Sequence, residues 1–256
     1  MYKIIQKKSE SDNLDYLDKN DPLFYNSLRF DFRRNVMSII QYLEDGKTGN
    51  QPLSTNLYTE LQEDILTGKL QSGEKLTEQK ICNEYKVSRT PVREALRQLE
   101  MDGLIENIPN RGAFVIGLTP QDIQDMYALR KLYEVQAVRW AIERITEEEL
   151  DELQETFEFM EFYTMKNDIN KMQSINMAFH QIIYNATHNR MLKQLLSSYQ
   201  TYLKFCNPSN VYAPDYLATV LEEHRAIFNA FMAKDSEGGA LAMSIHMDNS
   251  RKRKFR

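Results

Sequence analysis

The chain is short of what secreted, disulfide-braced or membrane proteins rely on. Its 256 residues hold two cysteines, Cys82 and Cys206, far apart and outside any CxxC pair. That excludes a disulfide framework and a cysteine zinc site. No apolar run approaches the roughly 20 residues a membrane span needs. The first residues, Met1-Tyr2-Lys3-Ile4-Ile5-Gln6-Lys7-Lys8, have neither a long apolar core nor a cleavage site, so a cytoplasmic location is expected. Positive charge is not in excess either: the formal net charge is −5. Any surface that reads nucleic acid must therefore be a local patch on an acidic body. With 42% hydrophobic and 11% aromatic residues, the chain can still build a substantial core, and its length suits two domains.

What is present begins with Val87-Ser88-Arg89-Thr90-Pro91-Val92-Arg93-Glu94-Ala95-Leu96-Arg97. Ser88 is a good N-cap, and Pro91 fits a helix start, where its missing N–H costs little. Arg89, Arg93 and Arg97 then share one side at i, i+4, i+8, while Val92, Ala95, Leu96 and Leu99 form the other. A helix with an apolar back and a guanidinium front suits the major groove of double-stranded DNA, where arginine pairs bidentately with guanine. Leu57, Leu61, Ile65 and Leu66 predict a helix before it that ends near Gly68. The stretch from Leu70 to Leu76 reads as a turn, and Thr77 caps a short helix with Ile81 and Tyr85 facing inward. After the arginine helix closes at Asp102-Gly103, residues 104–108 and 113–116 read as two strands. They flank the turn Pro109-Asn110-Arg111-Gly112, which carries Arg111 at its tip. Three helices and a hairpin predict a winged helix-turn-helix over residues 53–118.

Residues 119–250 read as helical almost throughout: 127–144, a helix opened by the capping box Thr146-Glu147-Glu148-Glu149, then 174–187, 191–205, 216–233 and 239–250. The fold class is therefore mainly α, a winged helix-turn-helix followed by an all-α bundle. Residues 1–52 are an N-terminal extension with one helix near 28–43 and no assigned role. Residues 251–256 are a basic tail expected to be solvated.

Histidine is scarce, with four in the chain. His188 follows a helix end and reads as a C-terminal cap favoured by the helix dipole. Asn176 and His180 lie four apart on one helical face, and His224 and His246 sit inside later helices. Three imidazoles and an amide oxygen aimed at one point of a bundle would bind a divalent metal with open positions. Three unrelated, partly buried histidines fit the same spacing.

Together these residues resemble the GntR family of bacterial transcription regulators, in the FadR-type subgroup with an all-helical FCD ligand-binding domain. The motifs that carry the resemblance run from Leu70 to Glu78, from Tyr85 to Arg97, from Asp102 to Ile105 and from Asn110 to Val115. In the second half they are Leu129-Arg130-Lys131-Leu132-Tyr133-Glu134, Asn176 to His180, Glu223-His224 and His246. The resemblance implies base reading by Arg89 and Arg93, and phosphate contacts from Ser88, Thr90 and Arg97. The wing tip itself would bring Arg111 to the phosphates or the minor groove, and the resemblance implies that the backbone near Gly112 approaches the minor groove. Gln79 stands where the family often has arginine, a departure that bears on operator sequence.

The resemblance also implies a metal, zinc or nickel, held by Asn176, His180, His224 and His246. Asn replaces the usual Asp, so the site carries one negative charge fewer and should either retain metal more weakly or depend more on an anionic effector. Arg130 has two readings: a pocket arginine for a carboxylate effector, or an intrahelical partner of Glu134. The expected protein is a homodimeric regulator, repressor or activator, whose operator binding responds to a small organic acid, and not an enzyme. The alternatives are a metalloenzyme built on the three histidines and a DNA-binding protein with a purely structural bundle.

Overall fold

The structure, a computed structural model, describes residues 53–206 and 215–254. The N-terminal extension and its expected helix lie outside the described residues.

The first unit is small and layered. Helix α1 (Leu53–Leu66) buries Leu57, Leu61 and Ile65, one per turn, against α3. Strand β1 (Lys75–Leu76) leads into α2 (Glu78–Tyr85), then α3 (Arg89–Met101), β2 (Ile105–Ile108) and β3 (Gly112–Val115). The sheet is antiparallel in the order β1-β3-β2, with Lys75 opposite Phe114 and Ile105 opposite Val115. The segment read as a turn thus contains β1. Two residues are too few to show an alternation, so the strand is defined by its partner and not by its own pattern. Thr77 caps α2 by accepting from the Lys80 amide at 3.2 Å. Ser88 occupies the N-cap of α3 with extended backbone, but its hydroxyl makes no capping bond, contrary to expectation. Gly103, at φ 73°, closes α3 with the Leu104 amide donating back to the Leu99 carbonyl, a left-handed cap that glycine adopts without strain.

The second unit is a bundle of α4 (Pro120–Arg144), α5 (Glu147–Met165), α6 (Ile169–Ala186), α7 (Arg190–Cys206), α8 (Tyr216–Met232) and α9 (Ser236–Lys254). Capping boxes open α4 (Thr119 with Asp122) and α5 (Thr146 with Glu149), and Asp168 caps α6. These caps begin α4 and α6 earlier than residues 127 and 174, where apolar periodicity becomes visible. Helix α9 runs through Lys254, so the expected free tail from 251 is partly the last turn of a helix.

Helix α4 lies along α9, α6 and α7, while α8 packs on α9 and α5. Their shared core includes Val138, Phe157, Met160, Phe179, Ile183, Phe231 and Met243. Gly239 lets α9 approach α4 closely. A Cβ there would lie 2.5 Å from the Ile142 Cδ1 and 2.9 Å from the Val138 Cγ1.

The two units touch. Tyr202 of α7 packs against the winged core, and Leu203, Tyr199, Met126 and Tyr127 close over the linker residue Leu118. At this junction the Tyr58 hydroxyl donates to Asp102, the residue that ends α3. No helix among the described residues is long and apolar enough to cross a membrane.

Candidate nucleic-acid interface and metal centre

The arginine face forms as its spacing requires. Val92, Ala95 and Leu99 are wholly buried, so the opposite side of α3 turns outward and carries Arg89, Arg93 and Arg97, all exposed. Exposed too are Ser88, Thr90 and Gln79, the last beside Arg89 at 3.5 Å. Arg93 is not wholly free: its Nε donates to the Glu78 carboxylate at 2.7 Å, with the side chains 65% and 36% exposed. A pair so open to water is worth little and can exchange for another anion. Arg111 extends at the hairpin tip, its guanidinium 5.6 Å from the centre of the Phe114 ring. Lys75 of β1 reaches the same ring at 5.9 Å and lies 3.2 Å from where a Gly112 Cβ would be. Lys75 and Glu78 both border the candidate surface and were missed from sequence. Lys75 was hidden in the unread strand β1, and Glu78 needs the fold to meet a residue fifteen positions away.

The histidine cage assembles from three helices. His180 of α6, His224 of α8 and His246 of α9 are all buried, with one ring nitrogen of each within 4.8 Å of the others. Ring centroids stand 4.4 Å apart for His224 and His246, 5.3 Å for His180 and His246, and 5.5 Å for His180 and His224. Each Nδ1 has an acceptor. That of His224 faces the Val220 carbonyl at 2.7 Å, that of His246 the Glu223 carboxylate at 2.8 Å, and that of His180 the Glu134 carboxylate at 3.3 Å. An Nδ1 that donates leaves Nε2 as a bare lone pair. The Nε2 atoms of His180 and His224, and the Oδ1 of Asn176, are buried without any partner. Orphaned acceptors are rare in protein interiors. The two bare imidazole nitrogens, beside the third imidazole, fit a divalent cation, and Asn176 stands one turn before His180 on α6.

The electrostatics agree. Burial, reinforced by the neighbouring imidazoles, holds His224 well below its ordinary pKa. Burial likewise pulls His246 down to about 4, against the opposing pull of Glu223. Both are therefore neutral near pH 7, the form that ligates metal. Glu134, fully buried, would be pushed up by desolvation, yet His180 and Arg130 hold it at about 2. Arg130 donates to it through Nε at 2.8 Å and Nη2 at 2.7 Å, and the Tyr184 hydroxyl donates to the same oxygen. Of the two sequence readings of Arg130, the intrahelical ion pair is present. His188 stands just beyond α6 with φ 49°, in left-handed backbone, and its Nε2 lies 3.2 Å from Glu149.

A groove-sized basic helix with a wing, joined to an all-helical domain with a buried polar cage, defines a two-domain transcription regulator. Residues 53–115 match the model of the bacterial regulatory proteins of the gntR family, and residues 125–249 match the FCD domain. The chain is 32% identical over 203 residues to the uncharacterised HTH-type transcriptional regulator YdhC of Bacillus subtilis, covering 77% of this chain and 89% of that one. It is 24% identical over 200 residues to the transcriptional repressor RspR of Escherichia coli, covering 77% and 86%. The solved structure of E. coli McbR/YncC shares its fold at a TM-score of 0.64, with 23% identity over 80% of this chain and 98% of the other. The chain belongs to the GntR family, in the group with an FCD domain, and is a DNA-binding regulator and not an enzyme.

Proposed function

We propose that the chain is a metal-dependent, effector-responsive regulator that binds its operator as a homodimer in the cytoplasm. In this reading Arg89 and Arg93 contact bases, while Gln79, Ser88, Thr90 and Arg97 contact the backbone or bases beside them. Arg111 and Gly112 then meet the minor groove. The observation that carries the metal half is the histidine cluster: the unpaired Nε2 atoms of His180 and His224 beside His246, with the equally unpaired and buried Asn176 Oδ1 one turn before His180 on the same helix. A divalent ion, zinc or nickel, would supply Lewis acidity and two positive charges at that point.

All four donors are uncharged, so the loaded site keeps its full positive charge and favours an anionic ligand, a small organic acid. Arg130 lies at the rim of the same network and is a second anchor for such an acid, in exchange for part of its bond to Glu134. The acid alters operator affinity only so far as it binds one dimer arrangement better than another. Repression is the favoured sign, by likeness to RspR, itself named a repressor. The dimer is supported by an exposed apolar strip on neighbouring helices: Leu129, Leu132 and Tyr133 of α4, and Leu241 and Ile245 of α9. Exposed large apolar side chains gathered on two packed helices are what a protein interface buries.

The test is metal analysis of the purified protein beside His224→Ala, with gel-shift titrations of both and a thermal-shift screen of small carboxylic acids. About one ion per chain in the parent, its loss in the variant, and retained DNA binding by the apo form are expected. A metal-free parent whose DNA affinity ignores every acid overturns the reading in favour of a purely structural bundle.

A further inference from the structure

We propose, building on the metal reading above, that Glu223 positions His246 for the ion and is itself held in place by Arg253 and Asn249 from the end of α9. Glu223 precedes His224 on α8 but points away from it, toward α9. Its Oε2 accepts from the His246 Nδ1 at 2.8 Å and from the Arg253 Nη2 at 2.8 Å. Its Oε1 accepts from the Asn249 Nδ2 at 2.9 Å and the Arg253 Nη1 at 2.7 Å. The carboxylate is 8% exposed and the imidazole 5%, so the bond to His246 lies out of water, while Arg253, 24% exposed, closes the outer side. Positions 246, 249 and 253 share one face of α9, and Glu223 bonds all three.

Stability alone does not account for this arrangement. A buried ion pair recovers little beyond its own desolvation cost, so Glu223 and Arg253 would be a poor way merely to join two helices. What the pair achieves is geometric. Glu223 fixes the proton of His246 on Nδ1 and sets the ring so that Nε2 faces the rings of His180 and His224. A carboxylate behind a ligating imidazole also raises its basicity toward the ion. Arg253 neutralises the carboxylate from the far side, and it packs over the Tyr216 ring at 5.9 Å. The arginine read from sequence as part of a solvated tail thus supports the cage from about two turns away.

The test compares zinc affinity with the stability of the apo protein. Parent, Glu223→Gln, Glu223→Asp, Asn249→Ala and His224→Ala are titrated with zinc against a chelating dye, and the apo forms are melted. Cobalt-loaded samples add a spectrum that reports ligand geometry. Glu223→Gln is expected to weaken zinc binding about 10- to 100-fold and to shift the cobalt bands. Asn249→Ala, which leaves the bond to His246 intact, should change affinity less than about threefold. If Glu223→Gln does not fold, Glu223→Asp, which withdraws the carboxylate by one methylene, takes its place with the same expectation. Parent-like zinc affinity and cobalt spectrum in the folded Glu223 variant, with a lowered apo melting point only, overturn the assignment and leave a structural ion pair. Failure of the parent itself to take up zinc or nickel is a separate result, which removes the metal reading on which the assignment stands.

Discussion

Arg93, paired with Glu78 in the free protein, is proposed to exchange that partner for DNA. In the free protein its guanidinium rests on Glu78, out in solvent; on DNA the same group would face a base edge or phosphate. Arg93→Ala should therefore cost about 1–3 kcal/mol of operator binding and leave the fold intact, read by gel-shift titration beside a melting curve. Equal affinity for operator and scrambled DNA in the parent would remove the base-reading role. Glu155 offers a stability test. Half-buried on α5 near Glu152, Glu158 and Asp151, it is pushed up to about 7, first by desolvation and then by these neighbours. The native state thus keeps a proton that the unfolded chain, titrating near 4.5, has already lost. Stability contributed by this group is full below the unfolded value and falls as pH rises toward the folded one. Glu155→Gln should raise the melting point at pH 8 and leave it unchanged at pH 4, as thermal melts at the two pH values would show.

At the scale of helices and strands, legibility followed the range of the interaction. The recognition helix was readable because its signal is local: apolar residues on one side, guanidiniums on the other, and Gly103 at its end. The capping box at Thr146 was readable for the same reason. The starts of α4 and α6 were placed too late, because Thr119 and Asp168 cap turns whose apolar faces are thin. The cage itself was only half legible. Asn176 and His180 show a four-residue spacing, but His224 and His246 belong to other helices: a shared inward aim in a bundle is one reading of them, unrelated buried histidines another, and the family resemblance favours the first. Glu134 was read as the alternative partner of Arg130, but its contacts with His180 and Tyr184, 46 and 50 residues away, leave no mark in the sequence. Gly239 gives the helix-packing prediction. Gly239→Ala forces a methyl onto Ile142 and Val138, so the contact between α4 and α9 must open. The expected cost is about 1–3 kcal/mol, a fall of several degrees in melting temperature, despite alanine's better helix propensity. An unchanged melting point would mean that the helices separate there without penalty.

For the molecule as a whole, the metal and the fold should be linked thermodynamically. An ion bound by α6, α8 and α9, as proposed, would stabilise the bundle by mass action, about 2.7 kcal/mol at a free concentration a hundred times its dissociation constant. Stripping it with a chelator should lower the melting point by roughly 5–10 °C, and adding back zinc or nickel should restore it. His224→Ala should melt at one temperature with or without the chelator. The apolar strip on α4 and α9 belongs to this scale too. Leu132→Asp with Leu241→Asp should convert a dimer to monomers in sedimentation and weaken operator binding more than either half-site contact alone would.

Helix α7 has a mechanical consequence. Near its middle, Ser197 and Gln200 bond to Gln181 and to the Met177 carbonyl of α6, the helix that bears His180. Closer to its end, Tyr202 and Leu203 press on the winged unit and its linker. Its 17 residues make a rod about 25 Å long. Pivoted near Arg190, a tilt of about 5° moves Leu203 through about 1.7 Å, the scale of shift that allosteric helices make at interfaces, and the Ser197–Gln200 segment through about 1 Å. An adjustment of about 1 Å around an ion in the cage would then reach the winged unit enlarged less than about twofold, with no need for the bundle to come apart.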